Sequence, residues 1–83
     1  MTLGEMIPYI AVRYVAVDGT SKTGTRVRLF IDCDAPGQRE RLYKYRDWKI
    51  TGIQASARYI HERLWAVLTV MVEEIDGRTG DHG

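Results

Sequence analysis

The chain has 83 residues, of which 45% are hydrophobic and 28% are charged, and its formal net charge is +1. This length corresponds to one domain, and the composition is that of a globular protein, which excludes an intrinsically disordered chain. A charge this close to zero excludes an overall electrostatic field that would attract nucleic acid or a membrane.

The cellular compartment is suggested by the cysteine content and by the apolar segments. Cys33 is the only cysteine, which excludes an internal disulfide and suits a reducing compartment. The start of the chain lacks the pattern of a signal peptide. The longest unbroken apolar stretch, Leu64 to Leu68, is far too short to span a bilayer. We therefore expect a soluble, cytoplasmic protein with no membrane partner.

The first half of the chain predicts an antiparallel hairpin. Residues 10–17 are rich in β-branched and aromatic side chains, which favour a strand. Asp18-Gly19 then predicts the beginning of a turn. Residues 25–33 alternate between an apolar side (Val27, Leu29, Ile31, Cys33) and an outer side (Arg26, Arg28, Phe30, Asp32). Residues 41–50 give a weaker indication of a third strand.

The last third of the chain admits two interpretations. At 100° per residue, the apolar residues between Ile53 and Ile75 fall on one side of a helix over residues 54–76, and Gly77 suits its C-cap. The β-branched residues between Leu64 and Val72 favour a strand instead. The helix is the preferred interpretation, because the apolar stripe persists over about six turns.

The expected fold is therefore α+β: a three-stranded antiparallel meander packed against one long C-terminal helix. We expect one domain over residues 1–76 and a flexible C-terminal tail over residues 77–83. If residues 64–72 are extended, the alternative is an all-β fold, a small SH3/Sm-like barrel.

A helix that is apolar around most of its circumference needs cover on a second face. The sequence thus predicts a homodimer, or else a loop or the N-terminal segment folded over that flank. The residues of the predicted dimer interface are Trp65, Ala66, Val70 and Val72.

No motif indicates catalysis or a bound cofactor. The segment from Gly19 to Thr25 contains the residue types of a phosphate-binding loop in the wrong order. Asp32 and Asp34 could offer two oxygen ligands to a cation, but no further acidic residue lies at ligand spacing. His61 has no Cys or Ser partner at the spacing of a catalytic motif. We expect no catalytic residue, no metal and no cofactor, and a small metal-dependent enzyme is the least favoured alternative.

Basic and aromatic residues share the outer side of the predicted sheet. Arginine and tyrosine are favoured anchors of protein interfaces, so we expect a non-catalytic interaction module, an accessory, adaptor or inhibitor protein that docks on a larger macromolecule. The alternative is nucleic-acid binding by the same face, because rings stack on bases and cations contact phosphates. The predicted contact residues are Arg26, Arg28, Phe30, Tyr43, Tyr45 and Lys49.

Overall fold

The computed structural model describes residues 1–75, which form a four-stranded mixed sheet with short helices on one of its faces. The strands lie in the order β2-β1-β4-β3. The two central strands, β1 and β4, are parallel, and the other two pairs are antiparallel. The chain therefore makes two hairpins and joins them side by side. The strands are β1 (Tyr14–Thr20), β2 (Arg26–Asp32), β3 (Lys49–Ile60) and β4 (Arg63–Glu73).

The predicted meander with a long C-terminal helix is wrong. The apolar stripe that indicated the helix belongs to β3 and β4. β4 has a neighbour on each side and packs side chains on both of its faces, so its sequence is a nearly continuous apolar run that imitates a buried helix. The barrel alternative is wrong as well, because the sheet does not close: β2 and β3 lie at its two edges and do not pair with each other. The predicted end of the helix at Asp76 and the predicted tail, residues 77–83, lie outside the described residues.

The predicted hairpin of the first half is confirmed. β1 and β2 pair antiparallel, with Val15 opposite Ile31 and Val17 opposite Leu29. Its turn comes later than predicted, since Gly24 donates to the Ser21 carbonyl and adopts a φ of 90°. Asp18 and Gly19 are part of β1.

Three short helices cover one face of the sheet, and we call them the cover layer. They are α1 (Leu3–Met6) and two 3₁₀ helices, Ile7–Tyr9 and Arg39–Tyr45. A capping box begins α1: Thr2 Oγ1 accepts from the Glu5 amide at 3.3 Å, and Glu5 Oε1 accepts from the Thr2 amide at 2.8 Å. The predicted third strand over residues 41–50 is thus a 3₁₀ helix that leads into β3.

The hydrophobic core lies between the cover layer and the sheet. Backbone bonds fasten the N-terminal segment there, with the Leu3 amide donating to Trp48 O at 2.9 Å and the Gly4 amide to Arg46 O at 2.8 Å. Two residues of the predicted dimer interface, Val70 and Val72, are core residues that the chain itself covers. The buried cluster consists of Leu3, Ile7, Ile10, Val15, Val17, Ile31, Leu42, Val70 and Val72.

The β3–β4 hairpin extends beyond the rest of the sheet. β1 pairs with β4 only from Val67 to Glu73, whereas β3 accompanies β4 to the tip. We call residues 57–66 the overhang. It contributes to an elongated shape of 49 × 22 × 18 Å. At its tip, His61 and Glu62 both have positive φ values, 52° and 65°, as a two-residue hairpin turn of type I′ requires.

Side chains other than glycine and asparagine are disfavoured at these φ values, so the tip is expected to gain stability from a better turn sequence. Replacing His61-Glu62 with Asn-Gly should stabilise the closed overhang by about 1 kcal/mol. Amide hydrogen exchange at Ile60 and Arg63 should slow by about five-fold, because exchange there reports local opening. Unchanged or faster exchange at both amides would contradict the turn geometry.

Candidate binding face

The face of the sheet opposite the cover layer carries clustered arginines and aromatic rings. Strand register places side chains from all four strands on it, so that Phe30 lies opposite Ala16 and Tyr14 opposite Val67. We call this surface the arginine–aromatic face. Its defining residues are Arg13, Tyr14, Arg26, Arg28, Phe30, Arg58, Arg63 and Trp65.

Three aromatic rings form the centre of this face. Tyr14 stacks on Phe30, with centroids 5.6 Å apart and an interplanar angle of 16°. Trp65 meets Tyr14 edge to face, at 5.3 Å and 73°. Tyr14 is buried because it occupies a central strand between these two rings. The cluster joins β2, β1 and β4 across the open face.

Guanidinium groups cover the aromatic rings. The Arg58 guanidinium carbon lies 4.9 Å from the Phe30 centroid, and that of Arg63 lies 5.0 Å from the Trp65 centroid. Arg13 lies 5.1 Å from both the Tyr14 and the Trp65 ring. Cation–π attraction favours these positions and holds flexible arginine side chains in place.

Two of the arginines are paired with carboxylates in forked geometry. Arg13 donates to both oxygens of Asp32 at 3.0 Å, and Arg26 donates to both oxygens of Asp18 at 3.1 Å. The hydrogen bonds from Arg13 hold the pKa of Asp32 below its ordinary value, and those from Arg26 lower the pKa of Asp18. Both aspartates are therefore charged at neutral pH.

Arg58 and Arg63 have no carboxylate within salt-bridge distance among residues 1–75. Within the same residues, the ion pair of Arg28 is a long contact, 3.9 Å, with Asp18, which Arg26 already engages. The face thus presents guanidinium charge that the described part of the chain does not neutralise. A bound anion would supply the missing partners.

An open groove of about 350 Å³ lies beside this cluster. Arg28, Arg58 and Phe30 line it, and so does Asp18, whose carboxylate is paired with Arg26. A groove that offers two guanidinium groups beside an aromatic ring accommodates a side chain that has an apolar stem and an anionic end.

The structure separates the six residues that the sequence predicted for contact. Arg26, Arg28 and Phe30 lie on the arginine–aromatic face, and Lys49 joins them because it pairs with Glu73. Tyr43 and Tyr45 lie in the 3₁₀ helix of the cover layer, on the other side of the sheet.

Four residues of the arginine–aromatic face were not predicted to lie there. Tyr14, Arg58 and Arg63 had no predicted role, and Trp65 was placed in a dimer interface with Ala66. In β4 these two neighbours point to opposite faces, so Trp65 joins the aromatic cluster and Ala66 does not. Reading residues 54–60 and 63–69 with a period of two would have brought Arg58 and Trp65 together.

The other candidates for chemistry do not converge. Asp32 is engaged by Arg13, and within residues 1–75 no three His, Cys, Asp or Glu side chains lie close enough together to hold a metal ion. Cys33 is partly buried, and burial raises the pKa of its thiol. His61 is in the turn of the overhang.

No family model, no curated protein and no solved structure matches this chain. In the described part of the chain, no helix has the length and apolar character needed to cross a membrane. A function must therefore be inferred from the arginine–aromatic face itself.

Proposed function

We propose that the protein is a non-catalytic interaction module that docks on a larger protein through its arginine–aromatic face, and that it recognises an acidic segment of that partner. An accessory, adaptor or inhibitor role fits a chain of this size. The free Cys33 supports a reducing, cytoplasmic compartment for this role.

The observation that carries the proposal is the pair of arginines, Arg58 and Arg63, that have no carboxylate partner within residues 1–75. Arg58 and Arg63 are held on aromatic rings at 4.9 and 5.0 Å, so their guanidinium groups are preorganised before binding. Preorganised arginine loses less conformational entropy on binding, and its planar fork matches a carboxylate with two hydrogen bonds. Asp18 and Asp32 already receive such forks on this same surface.

The aromatic rings favour a protein partner over nucleic acid. Stacking on bases requires a free ring face, but Tyr14 stacks on Phe30 and Arg58 lies over it, and Trp65 contacts Arg13, Arg63 and Tyr14. Phe30 is still 39% exposed, yet these contacts already engage the rings, and the exposed guanidinium groups of Arg58 and Arg63 lie around them. Arginine, tryptophan and tyrosine in such an arrangement are the residues that contribute most to protein–protein affinity.

The test uses two fluorescent probes of equal length, an acidic peptide rich in Glu and Tyr and a single-stranded oligonucleotide. We expect the peptide to bind, and the double substitution Arg58→Glu with Arg63→Glu to weaken its affinity at least ten-fold in fluorescence anisotropy. The loss should arise because both guanidinium forks are replaced by like charges.

The matched control is Arg41→Glu with Lys44→Glu, which reverses two charges on the exposed side of the cover layer. It should leave peptide affinity within two-fold of that of the unmodified protein. Equal losses in both variants would show a nonspecific charge effect and reject the proposed face. Tighter binding of the oligonucleotide, with a steep fall between about 50 and 200 mM salt, would replace this proposal with nucleic-acid binding.

A further inference from the structure

The two edges of the sheet differ in how they are protected. β2 is a seven-residue edge that carries three charged side chains, Arg26, Arg28 and Asp32. β3 is a twelve-residue edge strand whose first two residues pair with the N-terminal segment, since Thr2 bridges Lys49 and the Ile50 amide donates to Met1 O at 2.9 Å. Its remaining residues, 51–60, contain no proline and a single charge, Arg58. Short and charged edges resist pairing with another strand, whereas long and sparsely charged edges invite it. β3 is therefore the edge available for a partner.

Apolar side chains lie uncovered along this edge and the overhang. Ile53 is 52% exposed, Tyr59 is 75% exposed, and Leu64, opposite Tyr59, is 60% exposed. They face the same side as the core, but the cover layer does not reach them. Water contact with these side chains is unfavourable, and a partner that paired with β3 would lie beside them.

The hairpin turn determines which backbone groups of β3 point outward. Ile60 and Arg63 flank a two-residue turn, so they form a hydrogen-bonded pair, and every second residue of β3 from Ile60 backward bonds to β4. The amide and carbonyl groups of the alternate residues point away from the sheet. These residues are Ile53, Ala55, Ala57 and Tyr59.

We propose that a second copy of this chain occupies the edge, and that the two β3 strands pair antiparallel about a two-fold axis at Ala55. The numbers of any two residues that lie opposite each other then sum to 110. Ile53 faces Ala57 of the other copy, and Arg58 faces its Gly52. Six backbone hydrogen bonds form, two from each of the pairs 53–57, 55–55 and 57–53.

The size and charge of the side chains make β3 complementary to itself in this register. Each larger side chain meets a smaller one, which avoids crowding at the close approach of the two strands. No like charges lie opposite each other, because the partner of Arg58 is a glycine. An axis at Ala55 also keeps the ladder within residues 52–58, beyond the irregularity between Ile50 and Gly52.

This pairing closes as a dimer and does not continue into a fibre. The outer edges of the resulting eight-stranded sheet are both β2, where Arg26 and Arg28 oppose further addition. The two-fold axis is perpendicular to the sheet, so the arginine–aromatic faces of the two copies lie on the same side of it. The dimer does not depend on the proposed function, since backbone groups of β3 form its ladder. Of the two arginines that carry the proposed function, only Arg58 lies in that ladder, opposite Gly52.

The first test is the mass of the protein in solution. Sedimentation equilibrium of the full chain should give twice the monomer mass, and Ala55→Pro should raise the dimer dissociation constant at least 100-fold. Proline is tolerated in β3 at this position because the Ala55 amide points away from β4, and circular dichroism should remain unchanged. Ala55→Ser, the matched control, keeps the amide and a small side chain at the axis and should remain dimeric. A monomeric wild-type protein at millimolar concentration would overturn the proposal.

The second test fixes the register and does not need a disrupted variant. In a Cys33→Ser background, Ala55→Cys places two thiols on a hydrogen-bonded pair whose Cα atoms are about 5.5 Å apart, within reach of a disulfide. Mild oxidation should convert it to a covalent dimer. Tyr59→Cys is the control, because its two copies would be about 26 Å apart along the strands. Equal crosslinking of both variants would overturn the Ala55 axis.

Discussion

Replacing Leu3 with alanine is expected to lower the free energy of unfolding by about 2–5 kcal/mol, the range for a leucine removed from a packed core. Leu3 is fully buried, although it is the third residue of the chain. It lies in the same cluster as Ile7, Val70 and Val72, so its removal opens a cavity between α1 and the sheet. Urea denaturation followed by circular dichroism measures the change.

Leu64→Ala is the matched control for this prediction. Leu64 is 60% exposed in the overhang, so the same substitution should cost less than about 1 kcal/mol. The helical interpretation of the sequence places Leu64 in the core and predicts a loss of about 2–5 kcal/mol there. A larger loss at Leu64 than at Leu3 would therefore contradict the fold described above.

The first hairpin was predictable from the sequence because one of its strands alternates strictly. Val27, Leu29 and Ile31 face the core while Arg26 and Arg28 face outward. β2 is an edge strand with one solvent-exposed face, and that environment gives the clearest alternation of polar and apolar side chains. The pattern fixed both the strand and the side on which its arginines lie.

The second hairpin was not predictable by the same argument. β4 is central, with Val70 packed on the core and Val67 buried on the other face, so its polarity does not alternate. The polarity of β3 did not predict a strand for a different reason: its residues Ile53 and Tyr59 are apolar but exposed. The spacing of the apolar residues could not distinguish a buried strand from a helix here. The β-branched residues of β4 indicated the strand correctly.

The arginine–aromatic face was only partly predictable for a related reason. Arg28 and Phe30 came from the strand that was read correctly. Arg58 and Trp65 come from β3 and β4, and a helix would have separated them from Phe30. Tyr43 was included because residues 41–50 were read as a strand, whereas this segment is a 3₁₀ helix in the cover layer. Errors in the predicted site thus follow directly from errors in the predicted strands.

Gly4→Ala is expected to destabilise the protein by about 1–3 kcal/mol, the cost of forcing an extra carbon into a packed contact. In a helix, replacing glycine with alanine usually stabilises a protein by about 1 kcal/mol, so the change in unfolding free energy expected here has the opposite sign. A Cβ atom at Gly4 would lie 2.9 Å from the Arg46 carbonyl oxygen, which is backbone and cannot rotate away. The same oxygen accepts the Gly4 amide at 2.8 Å.

Gly52→Ala provides the comparison within the same chain. A Cβ atom there would lie 2.8 Å from Met71 Cε, the end of a flexible side chain that can adopt another rotamer. We therefore expect this substitution to change the unfolding free energy by less than about 1 kcal/mol. Thermal and urea denaturation should show that the Gly4→Ala variant is less stable than the Gly52→Ala variant. The opposite ranking would mean that α1 is not docked against residues 46–48, and the buried position of Leu3 would then lose its main support.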